Sequence, residues 1–149
     1  MANYAVDFQR TASTTASVGS VTADATRPRR FEIYDLVFGS QAAAADNPFL
    51  YTLQRCTAAG TSTAVVPQPL DPADAATEMD AGENHTVEPT YTAAQILLQV
   101  PLNQRATFRW IATEGGRLIA PATASNGIGI ATPTSSAVVI TVQSHVCER

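Results

Sequence analysis

The chain has 149 residues, a formal net charge of −4, 45% hydrophobic and only 15% charged residues, against about 25% charged in an ordinary domain. An acidic balance without a basic stripe argues against a nucleic-acid partner, and the longest apolar runs fall far short of the roughly 20 residues that would cross a membrane as a helix. One domain over 1–149 is expected, long enough to bury about 68–70% of its unfolded surface without a disulfide or metal.

Tyr4, Val6 and Phe8 alternate and predict a short first strand. The Ser/Thr/Ala-rich stretch 11–26 holds only Val18 and Val21 as larger apolar groups, so residues 1–27 read as an extended N-terminal arm or an edge strand. Arg27-Pro28-Arg29-Arg30 follows. It reads either as a solvated turn or as a clamp for carboxylates on a protein partner. All nine basic residues are arginine.

Phe31–Phe38 predicts a strong strand with Phe31, Ile33 and Val37 facing inward, followed by a small-residue loop with a helical turn over Gln41–Ala45. Phe49–Cys56 and Thr61–Val66 read as a hairpin turning at Thr57-Ala58-Ala59-Gly60. Leu70–Val87 is a polar excursion, with Asp71 and Pro72 placed to start a short helical turn over Asp71–Thr77. Ile96–Leu102 reads as a strand that Pro101 confines to an edge.

In Ala106–Thr113, Phe108 and Trp110 share the inward face. Glu114-Gly115-Gly116 predicts a tight hairpin into Arg117–Ala120, and Asn126-Gly127-Ile128-Gly129 a further reversal. Ala137–Val146, rich in Val and Ile, closes the chain as a strand. About eight strands, dense Gly/Pro punctuation and no long helix predict an all-β fold. An antiparallel β-sandwich or jelly-roll-like barrel fits, with short helical turns only.

No constellation of residues points to catalysis, a cofactor or a metal. The acidic residues of 71–88 lack the spacing of a calcium loop and read as solvated. His85 and His145 are the only histidines; Ser144 neighbours His145 but adjacent strand residues face opposite ways. Cys56 and Cys147 match no zinc spacing and could pair only if they lie on neighbouring strands. The chain starts without a basic and then apolar leader, which predicts synthesis in a cytoplasm with both thiols reduced.

Several segments resemble the head decoration, or cement, proteins of tailed bacteriophages: 46–55 (DNPFLYTLQR), 57–61 (TAAGT), 69–74 (PLDPAD) and 103–110 (NQRATFRW), in an Ala/Thr-rich, lysine-free chain. The resemblance implies a non-enzymatic virion protein. It would bind the outside of the capsid shell, partnered by the major capsid protein and by copies of itself, as trimers. It carries over no functional residue. The candidate assembly interface drawn from the chain itself is Tyr4, Phe8, Arg27, Arg29 and Arg30. Other readings are a tail-tube, head–tail connector or baseplate subunit, and a carbohydrate-binding sandwich.

Overall fold

The computed structural model describes residues 1–134 and 138–149. They form twelve strands in two antiparallel sheets, and no helix is present among them. In chain order the strands are β1 (Ala2–Thr11), β2 (Gly19–Ala23), β3 (Phe31–Ala42), β4 (Pro48–Cys56), β5 (Thr61–Val65) and β6 (Gln68–Pro69). They continue as β7 (Met79–Val87), β8 (Tyr91–Asn103), β9 (Phe108–Ile111), β10 (Leu118–Ala120), β11 (Gly127–Ala131) and β12 (Val139–Glu148). The closing strand matches the expectation; its expected first residue, Ala137, lies outside the described residues.

One sheet runs β10-β3-β12-β1-β6, with β9 also paired to β3; the other runs β5-β7-β2-β11-β4-β8. The pairings have a simple origin. β1 pairs β12, β2 pairs β11, β3 pairs β9 and β10, and β4 pairs β8. This is one long antiparallel hairpin whose two arms are wrapped so that β3 also meets β12 and β4 also meets β11. A hairpin rolled into two facing sheets is a jelly roll. Strands β5–β7 are an insertion at the hairpin's tip, between β4 and β8.

Long-range pairing replaces each local hairpin expected from the sequence. β4 and β5 lie far apart in the second sheet, β4 beside β8 and β11, β5 beside β7 alone. Gly60 does take the positive φ of a turn, at 74°, but the turn leads into the insertion rather than back along β4. β9 and β10 are not a hairpin either. Both lie on the same edge of β3, β9 against Asp35–Phe38 and β10 against Phe31–Ile33. They are two pieces of one broken edge strand, with 112–117 looped out between them.

Gly127 and Gly129 sit within interior strand β11, not in a reversal. A methyl group on Gly129 would strike the Tyr91 ring. The expected helical turns are also replaced. β3 runs on to Ala42, and Asp71 caps a single turn, accepting the Ala73 N–H at 2.9 Å.

Residues 1–27 form no free arm. β1 pairs β12 along ten residues, with only the two residues of β6 beyond it. All five residues of β2 are buried between β7 and β11. β8 ends the second sheet, so Pro101 does lie on an edge strand.

The core fills the space between the sheets with Val6, Phe31, Ile33, Leu36, Phe38, Phe49, Tyr51, Leu53, Ile128, Ile130, Ile140 and Val146. Phe38 and Phe49 each pack against Tyr51 with centroids 4.9 Å apart. Phe31 and Ile33 are buried as expected, but Phe108 is 40% exposed and Trp110 is only partly covered. Both face inward, opposite Phe38 and Leu36, yet β9 borders the sheet and little lies over it. Phe38→Ala is therefore expected to cost about 3–5 kcal/mol, and Phe108→Ala under about 1.5 kcal/mol because much of the ring is already in water. Urea denaturation of the two variants measures the contrast; equal losses would contradict the placement.

Candidate functional site

The structure separates the expected interface residues. Tyr4 and Phe8 are 2% and 1% exposed, so they cannot meet a partner. The Tyr4 hydroxyl donates to the Ala75 carbonyl at 2.9 Å, and the Phe8 ring fills the space that a side chain at Gly19 would take. Alternation placed them on a strand face correctly, but that face is core. The three arginines are exposed. Asp24 shapes their turn by accepting the Thr26 and Arg27 N–H groups through Oδ1, at 2.7 and 2.6 Å. Arg27 then pairs Glu78 at 2.9 Å with its side chain 73% exposed, and Arg30 reaches Glu32 at 3.6 Å. Arg29 enters no ion pair among the described residues.

Glu32 is the anchor of this end of the sandwich. It points out of β3 yet is 3% exposed, because Arg30, Arg117 and Arg149 close over it, the last two at 3.2 and 3.0 Å. A second buried carboxylate follows. The register between β12 and β3 slips between His145 and Val146, leaving Tyr34 without a partner across the strand. Ile33, Leu36 and Phe38 then face the core, and Val37, expected inward, faces the other way because the slip shifts the alternation by one residue. Asp35 receives two bonds from Arg109, at 2.9 and 2.6 Å, and one from His145 Nδ1 at 3.0 Å. The Arg109 bonds above all hold the Asp35 carboxyl below the usual carboxylate range. Arg117 lies over the Tyr34 ring, 5.7 Å from its centre. Two buried carboxylates thus hold four arginines on this outer face.

On the other sheet the insertion is tied down by a partly buried polar cluster. Glu88 accepts the Ser17 N–H at 2.8 Å and the Ser17 hydroxyl at 2.5 Å; the Tyr91 hydroxyl lies 2.6 Å from the same Ser17 oxygen. Arg10 donates to the carbonyls of Ser17 and His85. His85, expected in a polar loop, is instead 1% exposed on β7, with Nε2 3.1 Å from the Ser20 hydroxyl. That is the spacing of a nucleophile and base. However, Ser20 is equally buried, and among the described residues His85 Nδ1 has no hydrogen-bond partner, so no described carboxylate orients the ring. Ser144 and His145 face opposite ways, as expected: the serine bonds inward to the Val6 carbonyl, the histidine outward to Asp35. Cys56 and Cys147 are free and buried on different sheets, and burial pushes the Cys56 thiol up to about 11. No group of three His, Cys, Asp or Glu side chains among the described residues could hold a metal ion. A shallow groove of about 480 Å³ crosses β1 and β12, with Asp7, Gln9, Thr141 and Gln143 in its wall.

Burial lowers the pKa of His85, despite the opposing pull of Glu88. Unfolded His85 gains its proton near pH 6.5 while the folded ring resists it. Folding stability is thus full above about 6.5 and falls as pH drops toward the folded value. Asp35 adds a second loss. Its folded pKa is depressed, so its contribution is present above about pH 4 and disappears below it. Denaturation midpoints between pH 8 and 3 are expected to fall in two steps. His85→Gln should flatten the upper step and Asp35→Asn the lower; a midpoint unchanged from pH 8 to 5 would contradict the first assignment.

No protein-family model matches the chain, and no curated protein sequence matches it. Among solved structures it is similar to a chain of Cocksfoot mottle virus, with 9% identity over 97% of this chain and 91% of that one, at a TM-score of 0.31. It is similar also to a chain of Desmodium yellow mottle tymovirus, with 10% identity over 97% and 83%, at a TM-score of 0.24. A chain of infectious bursal disease virus overlaps with 13% identity over 98% of this chain and 40% of its own length, at a TM-score of 0.17. Overlaps this loose carry no argument; the strand order alone defines the fold.

Proposed function

We propose that the chain is a non-enzymatic virion structural protein of a tailed phage. It binds the outside of the capsid shell and stabilises it, in contact with the major capsid protein and with copies of itself, after synthesis in the host cytoplasm. The observation that carries this reading is the rolled-hairpin jelly roll, an architecture used by capsid and lectin domains. A fold alone does not fix function, and the surface supplies the second support. Buried carboxylates hold several exposed arginines in place at one end, while Arg29 is left over for a neighbour's carboxylate. A protein that binds only the assembled shell stabilises it by mass action and needs neither cofactor nor pocket. A glycan-binding sandwich would present exposed aromatic rings on one face. Among the described residues Phe108 is the exposed aromatic.

The test is to image purified parent particles with a label on this chain, and to heat shells with and without it. Shell-wide labelling and a higher rupture temperature are expected. Arg29→Glu should weaken shell binding and leave the remaining binding less sensitive to salt. Labelling confined to a tail, a connector or a baseplate would replace this reading with another virion part. Absence from the particle would overturn both.

A further inference from the structure

A single guanidinium can satisfy a carboxylate with two parallel N–H bonds. Glu32 has three guanidinium neighbours. Arg30 approaches Oε1 at 3.6 Å, while Arg117 and Arg149 both converge on Oε2, at 3.2 and 3.0 Å. One nitrogen of each guanidinium reaches Glu32; the other N–H groups have no hydrogen-bond partner among the described residues. Arg117 and Arg149 keep 42% and 48% of their side chains exposed. A pocket of about 410 Å³ lies beside them, lined by Glu32, Arg117 and Arg149 and by Thr113, Glu114 and Gly115 of the loop between β9 and β10. A side chain at Gly115 would meet nothing within 4 Å, so the pocket is open to solvent at that wall.

We propose that this pocket binds an oxyanion, a phosphate or carboxylate group, held between Arg117 and Arg149. The class of ligand follows from the donors. A guanidinium presents its N–H groups in a rigid planar fork that matches two oxygens of a carboxylate or phosphate. Two guanidinium groups drawn onto one carboxylate oxygen also repel each other, and a second anion on their free sides relieves that repulsion. Glu32 holds both groups in place before any ligand arrives, so the cost of ordering two long side chains falls on folding rather than on binding. The Tyr34 ring fixes Arg117 further. Glu114 is the opposing charge in the pocket wall. With Glu32 it leaves the three arginines a surplus of one positive charge, which suits a small anionic group and not a polyanion. The site stands on its own geometry. It can fail while shell binding stands, or hold in a protein that never meets a shell.

The test is isothermal titration calorimetry of the full chain, with NMR of its arginine side chains, against two probes: inorganic phosphate, and a tri-glutamate peptide blocked at both ends. Saturable binding of a probe is expected, with the Arg117 and Arg149 Nε–H signals shifting. Arg117→Gln and Arg149→Gln should each weaken it about tenfold, the loss of one charge-assisted hydrogen bond. Glu114→Gln should tighten it, which a purely structural role of the arginines would not produce. Arg105→Gln, in the loop before β9 and at the far end of β3 from Glu32, removes the same charge and should change nothing. Thermal melts confirm that each variant stays folded, since two arginines still cover Glu32 in each single replacement. Binding of phosphate alone supports the site and assigns it a free oxyanion. Tighter binding of the peptide supports it and assigns the acidic side chains of another protein. Absence of saturable binding by either probe, binding unchanged in both Arg117→Gln and Arg149→Gln, or an equal loss in Arg105→Gln would each overturn the proposal.

Discussion

Deleting residues 1–26 is expected to leave a chain that does not fold. The deletion removes β1 from beside β12 and β2 from between β7 and β11, so one sheet loses a full-length partner and the other is cut in two. It also takes Tyr4, Val6, Phe8, Val18 and Val21 out of the core. Burying five such side chains contributes roughly 8–15 kcal/mol, as much as the whole net stability of a typical domain, about 5–15 kcal/mol. Circular dichroism and a thermal melt of the truncated chain provide the measurement. A cooperative melt would show that the remaining strands form a domain alone, and that the N-terminal strands are an accessory.

The second large effect comes from one methyl group. Gly127 pairs Thr22 on one side and Cys56 on the other. A Cβ there would lie 2.0 Å from the Val21 carbonyl oxygen and 2.7 Å from Thr22 Cα, both backbone atoms in a buried strand. No rotamer change relieves this; β2 and β11 must move apart, and the ladder between them lengthens or breaks. Gly127→Ala is expected to cost more than about 4 kcal/mol, in the range reserved for core disruption. Its denaturation midpoint against that of the wild type decides the matter, and a loss below about 1 kcal/mol would mean that β11 does not approach β2 so closely.

These two positions also show what the sequence could and could not disclose. Alternation over Tyr4, Val6 and Phe8, and over Phe31 and Ile33, was enough to find strands and their inward faces. Pairing was not legible, because each strand's partner lies at the far end of a rolled hairpin: Ala2 meets Glu148, and Gly19 meets Ile130. Glycine is ambiguous by sequence, since it serves both turns and close strand packing. Gly60 and Gly115 do take positive φ, but their turns join strands that are not partners, while Gly127 serves close packing in an extended strand. β7, with the sequence MDAGENHTV, carries no run of β-branched residues and reads as loop; β2 and β5 on either side impose the strand. The carboxylate anchors escaped notice for a similar reason. Glu32 and Asp35 look like ordinary outward residues of a strand, and the arginines that cover them arrive from 109, 117 and 149.

The position of β12 has a consequence for the order of events during synthesis. Of the twelve described strands it is made last, yet it lies between β1 and β3, and no other described strand joins those two along their length. While the ribosome is still adding residues 139–148, β1 and β3 have no shared neighbour and their sheet cannot close. Until residues 139–148 emerge, Phe8, Phe31 and Phe38 lack the Ile140, Val142 and Val146 side chains that share their core. Folding is then dominated by contacts between sequence-distant residues, which makes it slow and leaves it open to aggregation on the way. A chain that stalls or is cut before residue 139 leaves β1 and β3 unjoined.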